Sequence, residues 1–253
     1  MKIFNAENKF RRDQSDFFDK FVKDIKALNL SDELLAEKIE LNSILDLIPN
    51  ASSKRILDLG CGTARVGLRL APKCKEVIGL DISGRSIDIA NITAKKYKIH
   101  NFKGIVGGME EIDYTHYFDC VVMVNLLHHV DDIDNLFSSI RRVLKSDGLC
   151  IIFEMNPLNP LFPFFMLYLG SFRNHFNKEY FRGNIFLLKR ILKRNGFIIK
   201  KIKKYAFLPT FLYNYSLIFK KINEVLNKIP IIEEFCAFHI IQFSPKSKRY
   251  ERN

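Results

Sequence analysis

The stretch Ile56–Arg65, "ILDLGCGTAR", sets Gly60 and Gly62 between an apolar run and a segment of helical character. Glycines let a backbone turn tightly and approach a ligand, and a helix start behind them offers free N–H groups. Asp58 stands two residues before Gly60, where a carboxylate suits a cationic amino group and repels a pyrophosphate. Asp81 closes the next apolar run, 19 residues after Gly62, a position from which a carboxylate accepts two ribose hydroxyls. Further on, His128 and His129 lie in "NLLHHV" and Glu154 in "FEMNP". These are proton-accepting groups, with histidine the natural base near neutral pH.

Strands alternating with helices must position these groups. "RILDLG", "KEVIGLDIS", "NFKGIVGG", "FDCVVMVN" and "LCIIFEM" read as five buried strands. Between them "ARVGLRLAP", "GRSIDIANITAKKYK" and "DDIDNLFSSIRRVLKSDG" read as helices, the last ending at Gly148. Helical spacing also marks residues 16–48, with a helix start between Ser31 and Leu34. After residue 181 the pattern gives a helix "NIFLLKRILKRNG", a strand "FIIKKIKKYAF", a helix over about 214–229 and a last strand "FCAFHIIQFSP". This order implies an α/β, Rossmann-like, doubly wound and mostly parallel seven-stranded sheet. It has N-terminal helices over 1–50, a core over 51–155 and an aromatic insertion after the fifth strand within 156–253. The last two strands are free to pair as neighbours and give a mixed edge.

A glycine loop alone is compatible with NAD, FAD or S-adenosylmethionine. Asp58, Asp81 and the spacing of the fourth and fifth strands narrow the choice. With these motifs in order, the chain over about 53–155 resembles the class I S-adenosylmethionine-dependent methyltransferases. The resemblance implies that Asp58, Gly60, Cys61 and Gly62 hold the methionine part of S-adenosyl-L-methionine, and that Asp81, with Ile82 beside it, holds the ribose. It also implies that Met109 and Glu110 flank the adenine and that Asn125 lies under the methyl donor. Two departures stand out. Ala64 replaces the loop's third glycine, tolerable if its φ is negative, and Gly108 stands where many relatives carry an aspartate, so Glu110 or a carbonyl must take that role.

His129 is the first candidate for a general base on an acceptor, ahead of His128, with helix capping or packing as the alternative for both. Glu154 is the second catalytic candidate, placed to orient an acceptor or take its proton, unless it pairs with a basic group. No metal site is expected, because the five cysteines form no C-x-x-C pair and read as reduced, buried residues.

The net charge of +12 is unevenly placed. Residues 157–253 hold 18 Lys+Arg against 5 Asp+Glu, and 20 of the 32 aromatics, which suits an anionic or apolar partner. "NPLNP" is not the Asn-Pro-Pro-Tyr element that holds a flipped base, because its prolines are separated and it follows the fifth strand rather than the fourth. Nucleic acid is therefore disfavoured. Pro157, Pro160 and Pro163 break the apolar run after Glu154, so no membrane span is expected, and "MKIFNAENKFRRDQ" lacks the apolar core of a secretory leader. The expected acceptor is a small apolar or lipid-linked molecule bound by a cytoplasmic protein, with peripheral contact to an anionic membrane through the basic aromatic third. The rim residues for that contact are Arg173, Lys200, Lys201, Lys203, Lys204, Lys220 and Lys221. Methylation of RNA or another macromolecule, or non-catalytic cofactor binding, are the alternatives.

Overall fold

Apolar runs of five to seven residues bounded by turn residues become central strands because both of their faces can be covered. The computed structural model describes residues 2–31, 34–164 and 178–246. Phe165–Phe172 of the aromatic insertion, and Arg173, lie outside the described residues. Helices α1 (Lys2–Phe21) and α2 (Leu35–Leu45) lead into strand β1 (Arg55–Leu59), helix α3 (Arg65–Leu70), β2 (Glu76–Asp81), α4 (Gly84–Lys96) and β3 (Phe102–Val106). Then come β4 (Phe118–Val124), α5 (Ile133–Val143), β5 (Leu144–Met155), α6 (Ile185–Arg194) and β6 (Phe197–Tyr205). Two short helices, α7 (Leu217–Leu226) and α8 (Pro230–Glu234), precede β7 (Phe238–Pro245).

The seven strands form one sheet in the order β3-β2-β1-β4-β5-β7-β6. All neighbouring pairs are parallel except those of β7, which runs antiparallel to both β5 and β6. This is the expected Rossmann-like mixed sheet. One face packs on α5 and α6 through Leu136, Phe137, Ile140, Leu188 and Leu192. The other packs on α2, α3 and α4 through Ile44, Val66, Leu68 and Ala90.

Helix starts follow side-chain caps: Ser83 accepts from Ser86 N, Asp132 from Asp134 N and Asn135 N, Asn184 from Phe186 N and Leu187 N. One boundary differs from the sequence expectation. The helix expected to run to Gly148 stops at Val143, and Leu144 already pairs with Phe118 of β4. Burial decides it, since Val143 and Leu144 are both buried, and the Lys145 ammonium holds Asp119 at 2.8 Å beside the register shift. The expected helix over 214–229 is shortened to α7, Leu217–Leu226, and a separate helix α8 follows, opened by Pro230 at a position where its missing N–H costs nothing.

Candidate functional site

The C-terminal ends of the adjacent strands β2, β1, β4 and β5 bring Asp81, Gly60, Asn125 and Met155 to one edge of the sheet, where open α/β sheets bind ligands. After β1 the chain turns sharply: the N–H groups of Gly60 and Cys61 both donate to the Leu80 carbonyl, at 2.8 and 3.2 Å. Gly60 has φ 67°, and a Cβ there would lie 2.4 Å from the Leu126 side chain, so any other residue would be strained in the turn and would have to displace Leu126. A Cβ on Gly62 would meet nothing within 4 Å, so the loop faces open space at that point. Ala64 has φ 58°, not the negative φ that would have suited its methyl group, and its N–H donates to the Cys61 carbonyl at 2.8 Å. Left-handed backbone at alanine costs on the order of 1 kcal/mol, carried here by the buried loop.

Asp58 is almost fully buried and accepts the Gly67 N–H at 2.9 Å. Gly67 is required for this, because a Cβ there would stand 2.6 Å from Asp58 Oδ2. A glycine in the middle of "ARVGLRL" was the sequence signal for that close approach. Burial drives the Asp58 carboxyl up to about 7, against the opposing Gly67 bond and the Arg65 charge. Asp81 accepts Gly62 N–H at 2.7 Å and Ser83 N–H at 2.9 Å, one on each oxygen. Burial raises its pKa too, and the two backbone bonds oppose the rise.

Helix α1 covers this edge. Ser15 Oγ donates to the Ile82 carbonyl at 3.1 Å, and Asp19 accepts from Ser83 Oγ and from Arg85 N–H. Among the buried side-chain oxygens with no hydrogen-bond partner among the described residues are Asn125 Oδ1, where φ is 51° at the end of β4, and Gln14 Oε1 on α1. Such orphans are costly unless a ligand or water completes them.

Beyond β3, Met109 is buried in the core and its carbonyl accepts Arg142 Nη2 at 2.9 Å, while Glu110 is exposed. It is Glu111 that turns back, its Oε2 accepting the Gly108 N–H at 2.8 Å.

A family model for a methyltransferase domain matches residues 50–206. The chain belongs to this methyltransferase family. It is 30% identical over 140 residues to a ubiquinone biosynthesis O-methyltransferase of Pelagibacter ubique, covering 52% of this chain and 56% of the relative. It is also 30% identical over 119 residues to a demethylmenaquinone methyltransferase of Tropheryma whipplei, covering 47% of this chain and 49% of that one. The chain spans about half the length of the curated relatives it matches. Among solved structures, the YcgJ protein of Bacillus subtilis superposes with a TM-score of 0.58 at 18% identity, over 83% of this chain and 99% of that one.

The turn after β4, at the sheet edge where open α/β sheets bind ligands, is a short 3-10 helix, Leu127–His129. Glu154 does not face an open cleft as expected. It is buried beneath this turn, one carboxylate oxygen accepting Leu127 N–H at 2.6 Å and the other lying 3.2 Å from His128 Nδ1. The carboxylate thus serves His128 rather than His129. His129 packs at a tilt against His128 with ring centroids 4.1 Å apart and meets the Phe18 ring of α1 edge-on at 5.1 Å. From the opposite side Arg182 donates to the carbonyls of Leu127, Val130 and Asp131. The sequence carried no signal for this clamp, since an isolated arginine in a loop has no period or spacing.

The "NPLNP" segment is a clip. Asn156 Oδ1 accepts Leu158 N–H and Asn159 Oδ1 accepts Leu161 N–H, each an Asx turn. Their amide groups donate to the carbonyls of Glu234, Cys236, Phe207 and Phe235, which ties the start of the insertion to the segments after β6 and before β7. A cavity of about 10 Å³ between Met155, Asn159, Phe162, Pro209 and Phe238 has room for roughly one water.

Proposed function

We propose that the chain transfers a methyl group from S-adenosyl-L-methionine to a small apolar acceptor with an ionisable hydroxyl, of the quinol or phenol class. The observation that carries the cofactor half is the acceptor-rich edge itself. Asp58, Asp81 and the orphaned Asn125 Oδ1 converge around a glycine turn that faces open space at Gly62. That set of acceptors fits a cationic amino acid joined to a ribose, and fits no pyrophosphate. Cys61 and Gly62 would line the methionine part, and Ile82 would pack beside the nucleoside. Met109, buried, would form the floor under the adenine, with Glu110 and Glu111 at its rim.

The cofactor supplies a methyl group on a sulfonium leaving group. The protein's own contribution is holding, orienting and proton transfer. Asp81 keeps one lone pair on each oxygen for a hydroxyl after its backbone bonds. A carboxylate on His128 Nδ1 fixes the proton there, which leaves Nε2 as the basic nitrogen. His128 Nε2 is therefore the group assigned to take the acceptor's proton, with Glu154 and Arg182 fixing the turn that carries it. This moves the role from His129, whose ring packs between His128 and Phe18. The relatives named for ubiquinone and menaquinone biosynthesis support the acceptor class.

The test is transfer of labelled methyl from S-adenosyl-L-methionine to short-chain quinols and substituted phenols, alongside calorimetry of cofactor binding. Binding without transfer to any of them would remove the acceptor class and leave the cofactor assignment standing. Absence of binding would remove both.

A further inference from the structure

Helix α7 is turned the wrong way round for a helix that serves only its own core. Asn223 on its inner side is 2% exposed, while Ile218 is 59% and Val225 63% exposed. Ile222, and Ile229 in the following turn, continue the outward stripe, and Ile231 of α8 is 76% exposed. Tyr215 and Phe235 stand exposed at its two ends.

The inverted orientation is fixed. Asn223 Oδ1 accepts the N–H groups of Phe207 and Leu208 at 2.8 and 2.7 Å, and its amide donates to the Leu208 carbonyl at 3.1 Å and to Tyr213 Oη at 2.6 Å. Rolling the helix to hide its isoleucines would strand this fully satisfied buried amide, which is costly.

Charge decides what covers the stripe. The nearby carboxylates are already matched: Glu224 by Lys220, Glu233 and Glu234 by Lys204. Lys221 and Lys228, two turns apart and on one edge of the stripe, are exposed and pair with no carboxylate among the described residues. An apolar stripe with aromatic ends and an uncompensated basic edge matches an interfacial element: side chains enter the acyl boundary and ammonium groups meet phosphates. A second copy meeting this surface with the same face would bring the same two lysines and glutamates that are already paired.

We propose that the α7–α8 surface docks the protein on an anionic lipid bilayer. The surface shares Lys221 with the rim expected from sequence, but Lys203 and Lys204 of that rim are spent on Asp46 and on the two glutamates. No helix among the described residues is long and apolar enough to cross a membrane, so the contact is peripheral.

The test is flotation of the full chain with phosphatidylcholine vesicles, with and without phosphatidylglycerol. The wild type is expected to float with the mixed vesicles, less at high salt. The double variant Ile222→Asp/Val225→Asp should lose binding at least tenfold with unchanged thermal unfolding, because both sites are exposed. Lys221→Gln and Lys228→Gln should each weaken binding about fivefold, the effect of roughly one basic residue at an anionic surface. No flotation of the wild type, or unchanged flotation of the double variant, overturns the proposal. So does a dimer in light scattering that the double variant dissociates without any vesicle binding, which would assign the stripe to a second copy. None of these readouts depends on methyl transfer.

Discussion

His128 Nδ1 lies 3.2 Å from Glu154 Oε2, and the other oxygen of the same carboxylate holds the Leu127 N–H at 2.6 Å. One buried acid thus fixes both the backbone of the histidine turn and the proton on its first imidazole. Replacing His128 by Ala should lower kcat by about 100- to 10,000-fold, the usual worth of a general base, with cofactor affinity retained. His129→Ala should lose far less. Glu154→Gln should keep the Leu127 bond while removing the carboxylate that fixes the proton on Nδ1, and so lower kcat with cofactor affinity retained. Equal losses for the two histidine variants would sink the assignment of the base to His128.

Asp58 gives a second, pH-based expectation. Burial holds its carboxyl at about 7 against an ordinary value of 3.8. Between those values the folded protein binds a proton that the unfolded chain has released, so the Asp58 contribution to stability falls as pH rises across that window. A cationic ligand reverses the preference, since it favours the carboxylate. Cofactor affinity should therefore rise with pH up to about 7. Calorimetry near pH 6 in buffers of different ionisation heat should show close to one proton released per cofactor bound. Asp58→Asn should abolish that release. If it persists in the variant, the proton comes from elsewhere.

Asp81 should be indispensable for binding. Two charge-assisted hydrogen bonds to a ribose are worth about 3 kcal/mol or more together, so Asp81→Ala should weaken S-adenosyl-L-methionine by at least about 100-fold. The same change frees the Gly62 and Ser83 N–H groups, so thermal unfolding must be measured alongside. Intact affinity in a folded variant would remove the ribose role.

The strand-end groups were legible because backbone geometry imposes them. A tight turn after a buried strand favours Gly60, and an acid closing the second strand stands where its oxygens meet the Gly62 and Ser83 N–H groups. The division of labour around His128 was not legible, because it depends on which way Glu154 points and on Arg182, 28 residues further along the chain. The sign of φ at Ala64 and the outward face of α7 were hidden for a similar reason. Periodicity gives a helix its stripe, but only the buried Asn223 says which side faces inward. The lysines behaved likewise, since sequence supplies the charges and only the fold pairs Lys203 with Asp46 and leaves Lys221 unmatched.

Arg182 makes the histidine turn a product of tertiary structure. Its guanidinium caps three carbonyls that would otherwise be left without donors at the end of the 3-10 helix. Losing such charged bonds costs on the order of 3 kcal/mol, and Arg182→Lys should not restore them, because an ammonium lacks the planar fork. Urea unfolding of Arg182→Ala and Arg182→Lys should show similar losses, with kcat lowered and cofactor affinity little changed. Full rescue by lysine would mean that only charge matters at this position.

His239 stands directly opposite Glu154 in the antiparallel β5–β7 register, so the two side chains share one face of the sheet. Its Nδ1 lies 3.2 Å from the Gly183 carbonyl, and Nε2 is buried with no partner among the described residues. The Gly183 carbonyl fixes the proton on Nδ1, and burial pushes the pKa from 6.5 down to about 4. The unfolded chain therefore binds a proton that the folded one refuses between these values. His239 stability is fully present above about pH 6.5 and is lost as pH falls towards 4, by about 3 kcal/mol at 1.36 kcal/mol per unit. Unfolding free energies measured from pH 7 to 4 should fall more steeply in the wild type than in His239→Asn, whose amide can still donate to Gly183. The carboxylates contribute to both curves, so the difference between the two isolates the imidazole, and superimposable slopes would show that it titrates normally.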